Sequence, residues 1–340
     1  MTFRNAPASR GGRKTLVALL VLSLLLLGIS LKINLSAAGV LSAQTELNHS
    51  CGGGEDEFPQ FMETHSYGSG SAKVVRMAFH GPISHRMESG LFHSTDPVED
   101  LLRQIRAARQ DSSVRAILLE VDSPGGEVTA ADEIYHELTL FKESEEDRCI
   151  VVLVHDMAAS GGYYISLPAD RIIAQPTAII GSIGVIMQTL NIQGLSEKIG
   201  VTDTTIKSGA NKDLLNPFHP VEPQQMKLMQ GMIDTVYDRF ASLVAEERSL
   251  DKAELKTLAD GRLFSAADAL RHRLIDGIGY WEDAVQITSE LLKEEEVFVV
   301  SYSRNKTFVE SLFSSSRPIG ALQALWQGME APRRLYLWRP

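Results

Sequence analysis

Two unbroken apolar runs, each closing on a glycine-rich turn, most narrow the folds open to this chain. Residues 114–121 (Val-Arg-Ala-Ile-Leu-Leu-Glu-Val) and 150–154 have the length and β-branched content of buried strands. The first leads into Asp122-Ser123-Pro124-Gly125-Gly126, and the second into Met157-Ala158-Ala159-Ser160-Gly161-Gly162. Helical patterns are interleaved with them. Val98, Leu101, Leu102 and Ile105 recur at helical spacing over 97–109, and residues 129–143 read as a second helix. Strands alternating with helices predict an α/β core with a largely parallel sheet. Ligand sites in such cores lie outside the carboxyl ends of strands, where the loops 122–127 and 155–162 fall.

Other elements follow the same logic. Residues 74–79 read as a strand, and 222–248 as a long helix. That helix carries Met226, Met229, Ile233, Val236, Phe240, Leu243 and Val244 on one stripe, best explained by core packing. Helices near 265–272 and 281–293 and a strand at 296–301 complete the pattern. The tail, 303–340, has no clear period, and its Trp326, Leu335, Tyr336 and Trp338 among arginines suit a subunit contact or an interfacial segment.

Charge and composition exclude some functions. The 340 residues carry a formal net charge of −10, which argues against nucleic-acid binding through phosphates. Cys51 and Cys149 are the two cysteines and lack metal-ligand spacing; neither a disulfide framework nor a metal site is expected. The N-terminus is basic (Arg4, Arg10, Arg13, Lys14), and an uncharged apolar run begins at Thr15. The reading is a cytoplasmic basic segment at 1–14, a transmembrane signal anchor at 15–35 and a flexible glycine-rich linker at 36–72. A domain at 73–302 would then sit outside the cytoplasm at a bacterial-type inner membrane, with the lipid bilayer as a partner. A cleavable signal peptide is the competing reading, given the small residues Ser36-Ala37-Ala38-Gly39.

Ser160 is the candidate nucleophile. A sharp strand-to-helix turn exposes a serine oxygen, and glycines beside it allow substrate to approach backbone N–H groups that can bind an oxyanion. Local chemistry leaves a plainer alternative open, in which Ser160 caps a helix and Pro-Gly-Gly only turns the chain.

Several motifs together resemble the signal peptide peptidase A family. They are Asp122-Ser123-Pro124-Gly125-Gly126, then Met157 to Ile165 (Met-Ala-Ala-Ser-Gly-Gly-Tyr-Tyr-Ile), then Gly181-Ser182-Ile183-Gly184-Val185. Ile206-Lys207-Ser208-Gly209-Ala210-Asn211-Lys212-Asp213 and Ala259-Asp260-Gly261-Arg262 follow in the family's order. Arg273 departs from the pattern, standing where a glycine is often found. The resemblance covers about residues 73–300 in a single-length form. It implies a Clp protease/crotonase-like repeated ββα core and a serine endopeptidase working through a Ser-Lys dyad without cofactor. By position, Ser160 is the implied nucleophile and Lys212 the base, with Lys207 the tempting wrong choice. The resemblance likewise implies that Gly126 and Gly161 supply the oxyanion hole and that Ser182 orients the lysine. Implied substrates are peptides, including signal-peptide remnants, and a homo-oligomeric ring is implied to complete each site.

The dyad makes a physical demand. Lysine is protonated near neutral pH, so it can accept a proton from serine only where desolvation lowers its pKa. Asp213 is therefore expected to point away from Lys212. A histidine base is the competing mechanism, with His136, His155 and His219 as the possibilities. A crotonase-like acyl-thioester-binding domain and an inactive membrane quality-control scaffold are the non-proteolytic alternatives.

Overall fold

The central strands of the computed structural model grow out of the apolar runs above, and the structure describes residues 59–85, 88–89, 94–303 and 335–337. In chain order the first elements are β1 (Met62–Tyr67), β2 (Ala72–His80), β3 (Glu88–Ser89), β4 (Ser94–Thr95), α1 (Pro97–Gln110), β5 (Val114–Ser123), β6 (Gly125–Glu127) and α2 (Val128–Glu143). Next come β7 (Cys149–Ala159), α3 (Gly161–Tyr164), β8 (Arg171–Ala174), β9 (Ile179–Gly181), α4 (Gln193–Ile199), α5 (Pro223–Glu247) and α6 (Lys252–Leu258). The last are β10 (Leu263–Ser265), α7 (Ala266–Arg271), β11 (Gly277–Ile278), α8 (Trp281–Leu292), β12 (Val297–Ser303) and β13 (Leu335–Leu337).

The main sheet runs β1-β12-β2-β5-β7-β8-β11, with β9 paired to β7 and β10 to β9. From β12 to β11 every neighbour is parallel; β1 is antiparallel at one edge and β10 antiparallel to β9. Parallel neighbours need crossovers, which α1 supplies between β2 and β5 and α2 between β5 and β7. Sequence sets where α1 starts. Asp96 accepts hydrogen bonds from the Val98 and Glu99 N–H groups, Pro97 fits the first turn, and Glu99 and Asp100 complement its dipole.

Both sheet faces are covered, which explains the unbroken apolar runs. Ile117, Leu119, Val121, Val152 and Val154 face α1, α2 and the larger core. Their neighbours Ala116, Leu118, Val151 and Leu153 face the opposite way, against α8. Truncating a fully buried residue such as Ile117 to alanine costs about 2–5 kcal/mol.

Four expectations need correction. No helix among the described residues is long and apolar enough to cross a membrane, and the segment 15–35 lies outside those residues. The transmembrane helix, the bilayer as partner and the single-pass membrane location thus find no support among the described residues and are not carried further. Secondly, β1 lies inside the stretch read as linker, because its backbone pairs with β12 from Met62 to Tyr67. Thirdly, the apolar stripe on α5 is core only at its C-terminal end. Phe240, Ala241 and Val244 are buried, whereas Met226 is exposed and Met229 and Ile233 are only half-buried, because no described element covers that half. Lastly, β7 continues to Ala159, so most of the loop read at 155–162 is strand.

Candidate active site

β7 delivers Ser160 to the sheet edge and then stops. Its last residues are held on both sides, by β9 through Met157, Ala158 and Ala159 and by β5 through a Ser123–Ala158 pairing. The chain turns at Ser160, where φ is 54° and ψ is −116°. A non-glycine residue there is strained by roughly 1–3 kcal/mol, and strain of this kind persists only where the surroundings impose it. Here they do. The Ser160 N–H donates to the Gly181 carbonyl at 2.7 Å, and the Ser160 carbonyl accepts from the Tyr164 N–H at 2.9 Å. Ser160 is buried, yet its hydroxyl makes no hydrogen bond among the described residues and does not cap α3. Ser160 thus holds the N-cap position of α3 through its backbone, but its side chain does not do the capping that the plainer reading requires.

The following turn is anchored by its tyrosines. Buried Tyr163 donates through its hydroxyl to the Leu274 carbonyl at 2.7 Å, and Tyr164 donates to Asp132 at 2.6 Å. Burial pushes the Tyr163 phenol well above its usual range, so it stays a neutral donor. The helix α3 has only four residues, so its dipole contributes little; the N–H of Gly161 matters as an individual donor.

The second glycine turn packs directly on the first. A Cβ on Gly162 would lie 2.5 Å from the Ser123 carbonyl oxygen, so only glycine lets the two turns approach this closely. Ser123 holds its own turn, donating to the Gly81 carbonyl at 2.7 Å and accepting from the Gly125 N–H at 3.1 Å. Beyond it, β6 is tied to Ile83. The Ile83 N–H donates to the Gly125 carbonyl at 2.9 Å, and the Glu127 N–H donates to the Ile83 carbonyl at 2.7 Å. Backbone groups alternate along a strand, so the N–H and carbonyl of Gly126 face the opposite way, into the space beside α3. A Cβ on Gly126 would come within 1.9 Å of the Ile83 carbonyl oxygen, which fixes glycine at this position too.

Ser182 is buried, with φ of 51°, just after Gly181. Its N–H donates to the Arg262 carbonyl at 2.8 Å, and β9 and β10 pair on either side of that turn. The motif Ala259-Asp260-Gly261-Arg262 gains a role from this contact. Hydrogen bonds from Arg262 hold the Asp260 carboxyl down at about 2, and this clasp shapes the turn that holds Ser182.

Lys212 lies elsewhere in character. It is exposed, and its side chain makes no hydrogen bond or ion pair among the described residues, with Ser160 or with Ser182. Asp213 turns to Lys207, whose amine donates to it at 2.7 and 2.9 Å. That hydrogen bond holds the Asp213 carboxyl below its usual range. The structure thus brings together Ser160, Gly161 and Gly126 around two touching turns, with Ser182 just beyond the end of the adjoining strand β9. It leaves Lys212 in water. The expected homo-oligomeric ring finds no support in this chain or its relatives and is not carried further.

The histidines are otherwise engaged. His155 donates to Glu120 at 2.7 Å and accepts at Nδ1 from Gln175 at 2.9 Å, so neither ring nitrogen is available. His219 sits between Asp203 and Asp213, and His136 is on an exposed face of α2. None hydrogen-bonds Ser160. Sequence reasoning missed Gly162 as the contact between turns, and Tyr163 and Tyr164 as anchors. Gly162 had a signal, the doubled glycine after Ser160, but its neighbour Ser123 is distant in sequence.

Known proteins are similar to this chain in sequence. Residues 142–295 match the profile of Peptidase family S49. A putative signal peptide peptidase SppA of Enterococcus faecium is 38% identical over 270 residues, covering 79% of this chain and 76% of its own. A putative protease of Synechocystis sp. is 38% identical over 219 residues, 64% of this chain and 74% of its own. Protease 4 of Salmonella typhi is 34% identical over 62% of this chain but only 34% of its own length. A point mutant of ClpP1 from Listeria monocytogenes aligns with 63% of this chain and 94% of its own at TM-score 0.40 and 16% identity, a likeness too remote to bear on chemistry. With a match of this extent to the Enterococcus protein, and a strained serine within the family-matched residues 142–295, the chain belongs to the SppA-type peptidase family S49 and is a serine peptidase.

Proposed function

We propose that this peptidase cleaves extended apolar peptides by a Ser160–Lys212 mechanism in its single-length form. The observation that carries the reading is the backbone of Ser160, held at φ 54° by a buried hydrogen bond to Gly181 while its hydroxyl has no hydrogen-bond partner among the described residues. In the reaction, the neutral Lys212 amine takes the Ser160 hydroxyl proton as Oγ bonds to the scissile carbonyl carbon. The resulting oxyanion lies against the N–H groups of Gly126 and Gly161. Collapse breaks the C–N bond, the lysine returns the proton to the leaving amine, and water then hydrolyses the acyl-enzyme. Ser182 orients the amine.

Because Lys212 is exposed as described, the reading requires that it leave water and meet Ser160 when substrate binds. The name of the Enterococcus relative makes cleaved signal peptides the first substrates to assay. The decisive set is Ser160→Ala, Lys212→Ala and Lys207→Ala on a peptide substrate. Hydrolysis is expected to vanish in the first two and survive in the third, with wild-type rate rising toward alkaline pH as an amine loses its proton. Survival of Lys212→Ala, or a flat rate across about pH 6–10, overturns the assignment of the base.

A further inference from the structure

The carboxylate beside the proposed base in sequence is committed to another partner. The side chain of Asp213 is only 11% exposed, whereas its neighbour Lys212 is exposed. Both Asp213 oxygens accept from the Lys207 amine, at 2.7 and 2.9 Å. Backbone turns make the pair possible. The Lys212 N–H donates to the Gly209 carbonyl and the Asn216 N–H to the Asp213 carbonyl, each at 3.1 Å, and this folding brings Lys207 to a residue six positions on. Asp203 holds the same loop together, accepting from Thr205 at 2.7 Å and from Asn216 at 3.0 Å. The His219 ring lies 3.3 Å from Asp203 and 3.9 Å from Asp213. Glu222, at the start of α5, lines the small cavity beside Lys207 and Asp213.

Charge decides what this pairing does. A free carboxylate within about 4–6 Å of an amine favours the ammonium form and raises its pKa by about 1–3. Lys212 must lose its proton before it can act, so a free Asp213 would oppose it. Bound to Lys207, the Asp213 charge is cancelled at short range. Among the described residues, Asp203, His219 and Glu222 are the other titratable groups bordering the pair, and they are common to every variant below.

We propose that Lys207 is a positioning residue for the reaction: its ammonium holds and neutralises Asp213, so that the carboxylate next to Lys212 does not keep the base protonated. This rests on the reading of Lys212 as the base. Lys207 thus serves the site without meeting Ser160.

The test follows kcat/KM on a peptide substrate against pH in full-length protein. Lys207→Ala frees the carboxylate. Hydrolysis should survive, but its alkaline midpoint should rise by about 1 pH unit or more, a fall of about tenfold below the midpoint, with the high-pH plateau retained. Lys207→Gln, which can still donate a hydrogen bond to Asp213 but carries no charge, should shift the midpoint in the same direction. Lys207→Arg keeps the charge and should keep the wild-type midpoint. Adding Asp213→Asn to Lys207→Ala removes the carboxylate and should bring the midpoint back. A purely structural lysine would instead lower the rate equally at every pH, with no recovery in the double variant, and that result overturns the proposal. An unmoved midpoint in Lys207→Ala and Lys207→Gln, in a chain that Lys212→Ala inactivates, overturns this proposal alone. Hydrolysis retained in Lys212→Ala overturns the base itself, so the two failures are distinguishable.

Discussion

Substituting Gly162 by alanine tests how closely the two glycine turns must approach. The new Cβ would stand 2.5 Å from the Ser123 carbonyl oxygen and 3.2 Å from the Ser123 carbonyl carbon and Cβ. The nearest atom is backbone, so no side chain can swing aside, and the turns must separate by roughly 0.5 Å or more. Overpacking of this kind costs about 1–3 kcal/mol, and alanine recovers up to about 1 kcal/mol relative to glycine in a helical turn. The net loss is about 0–3 kcal/mol, or a fall in Tm of no more than about 12 °C for a domain of this size. Catalysis should suffer more. The displacement falls between Ser160 and Gly126, and misplacement approaching 1 Å costs about 100-fold in rate. Thermal unfolding followed by circular dichroism, alongside kcat/KM on a peptide substrate, separates the two effects. A well-folded Gly162→Ala variant with wild-type kcat/KM would refute the claim that contact between the turns builds the site.

Three further outcomes follow from the same geometry. Ser160→Gly should raise the Tm by a few degrees while abolishing hydrolysis, since glycine accepts φ 54° without strain of about 1 kcal/mol or more; a lower Tm would mean the turn is unstrained. His155→Gln should keep hydrolysis within about threefold of wild type and lower stability by about 1–2 kcal/mol, because the ring bridges Glu120 and Gln175; loss of activity would revive a histidine base. His85 lies between Asp96 at 2.9 Å and Glu133 at 2.8 Å. Partial burial works against its charge, but the two carboxylates outweigh it and raise its pKa above 6.5. Its stabilising contribution is complete below pH 6.5 and is lost as pH rises through the raised value. Tm measured from about pH 5.5 to 8.5 should fall across that window in wild type and flatten in His85→Gln; an identical slope in both would rule the cluster out.

The fold was largely legible because burial on both faces leaves a direct mark. The runs at 114–121 and 150–154 become β5 and β7, and the helical spacing at 97–109 becomes α1. Patterning failed where it depends on what lies opposite. Nothing local separates the exposed Met226 from the buried Phe240 and Val244, since they share one stripe of one long helix and differ in having a covering element. β1 was hidden in a polar, glycine-bearing stretch because an edge strand held by backbone bonds to β12 needs no apolar alternation.

At the site, the sequence by itself determined the chemistry on offer: a serine before paired glycines at the end of a buried strand, and a second glycine turn after another. It determined these because strands, turns and close backbone approach each select residue types locally. Only the tertiary structure decided that Ser160 is held at a positive φ, that Gly162 rests on Ser123, that His155 is spent on Glu120 and Gln175, and that β13 lies along Gly126. Those are contacts between residues far apart in the chain. They depend on which strand ends meet, and no local pattern of residue types encodes that.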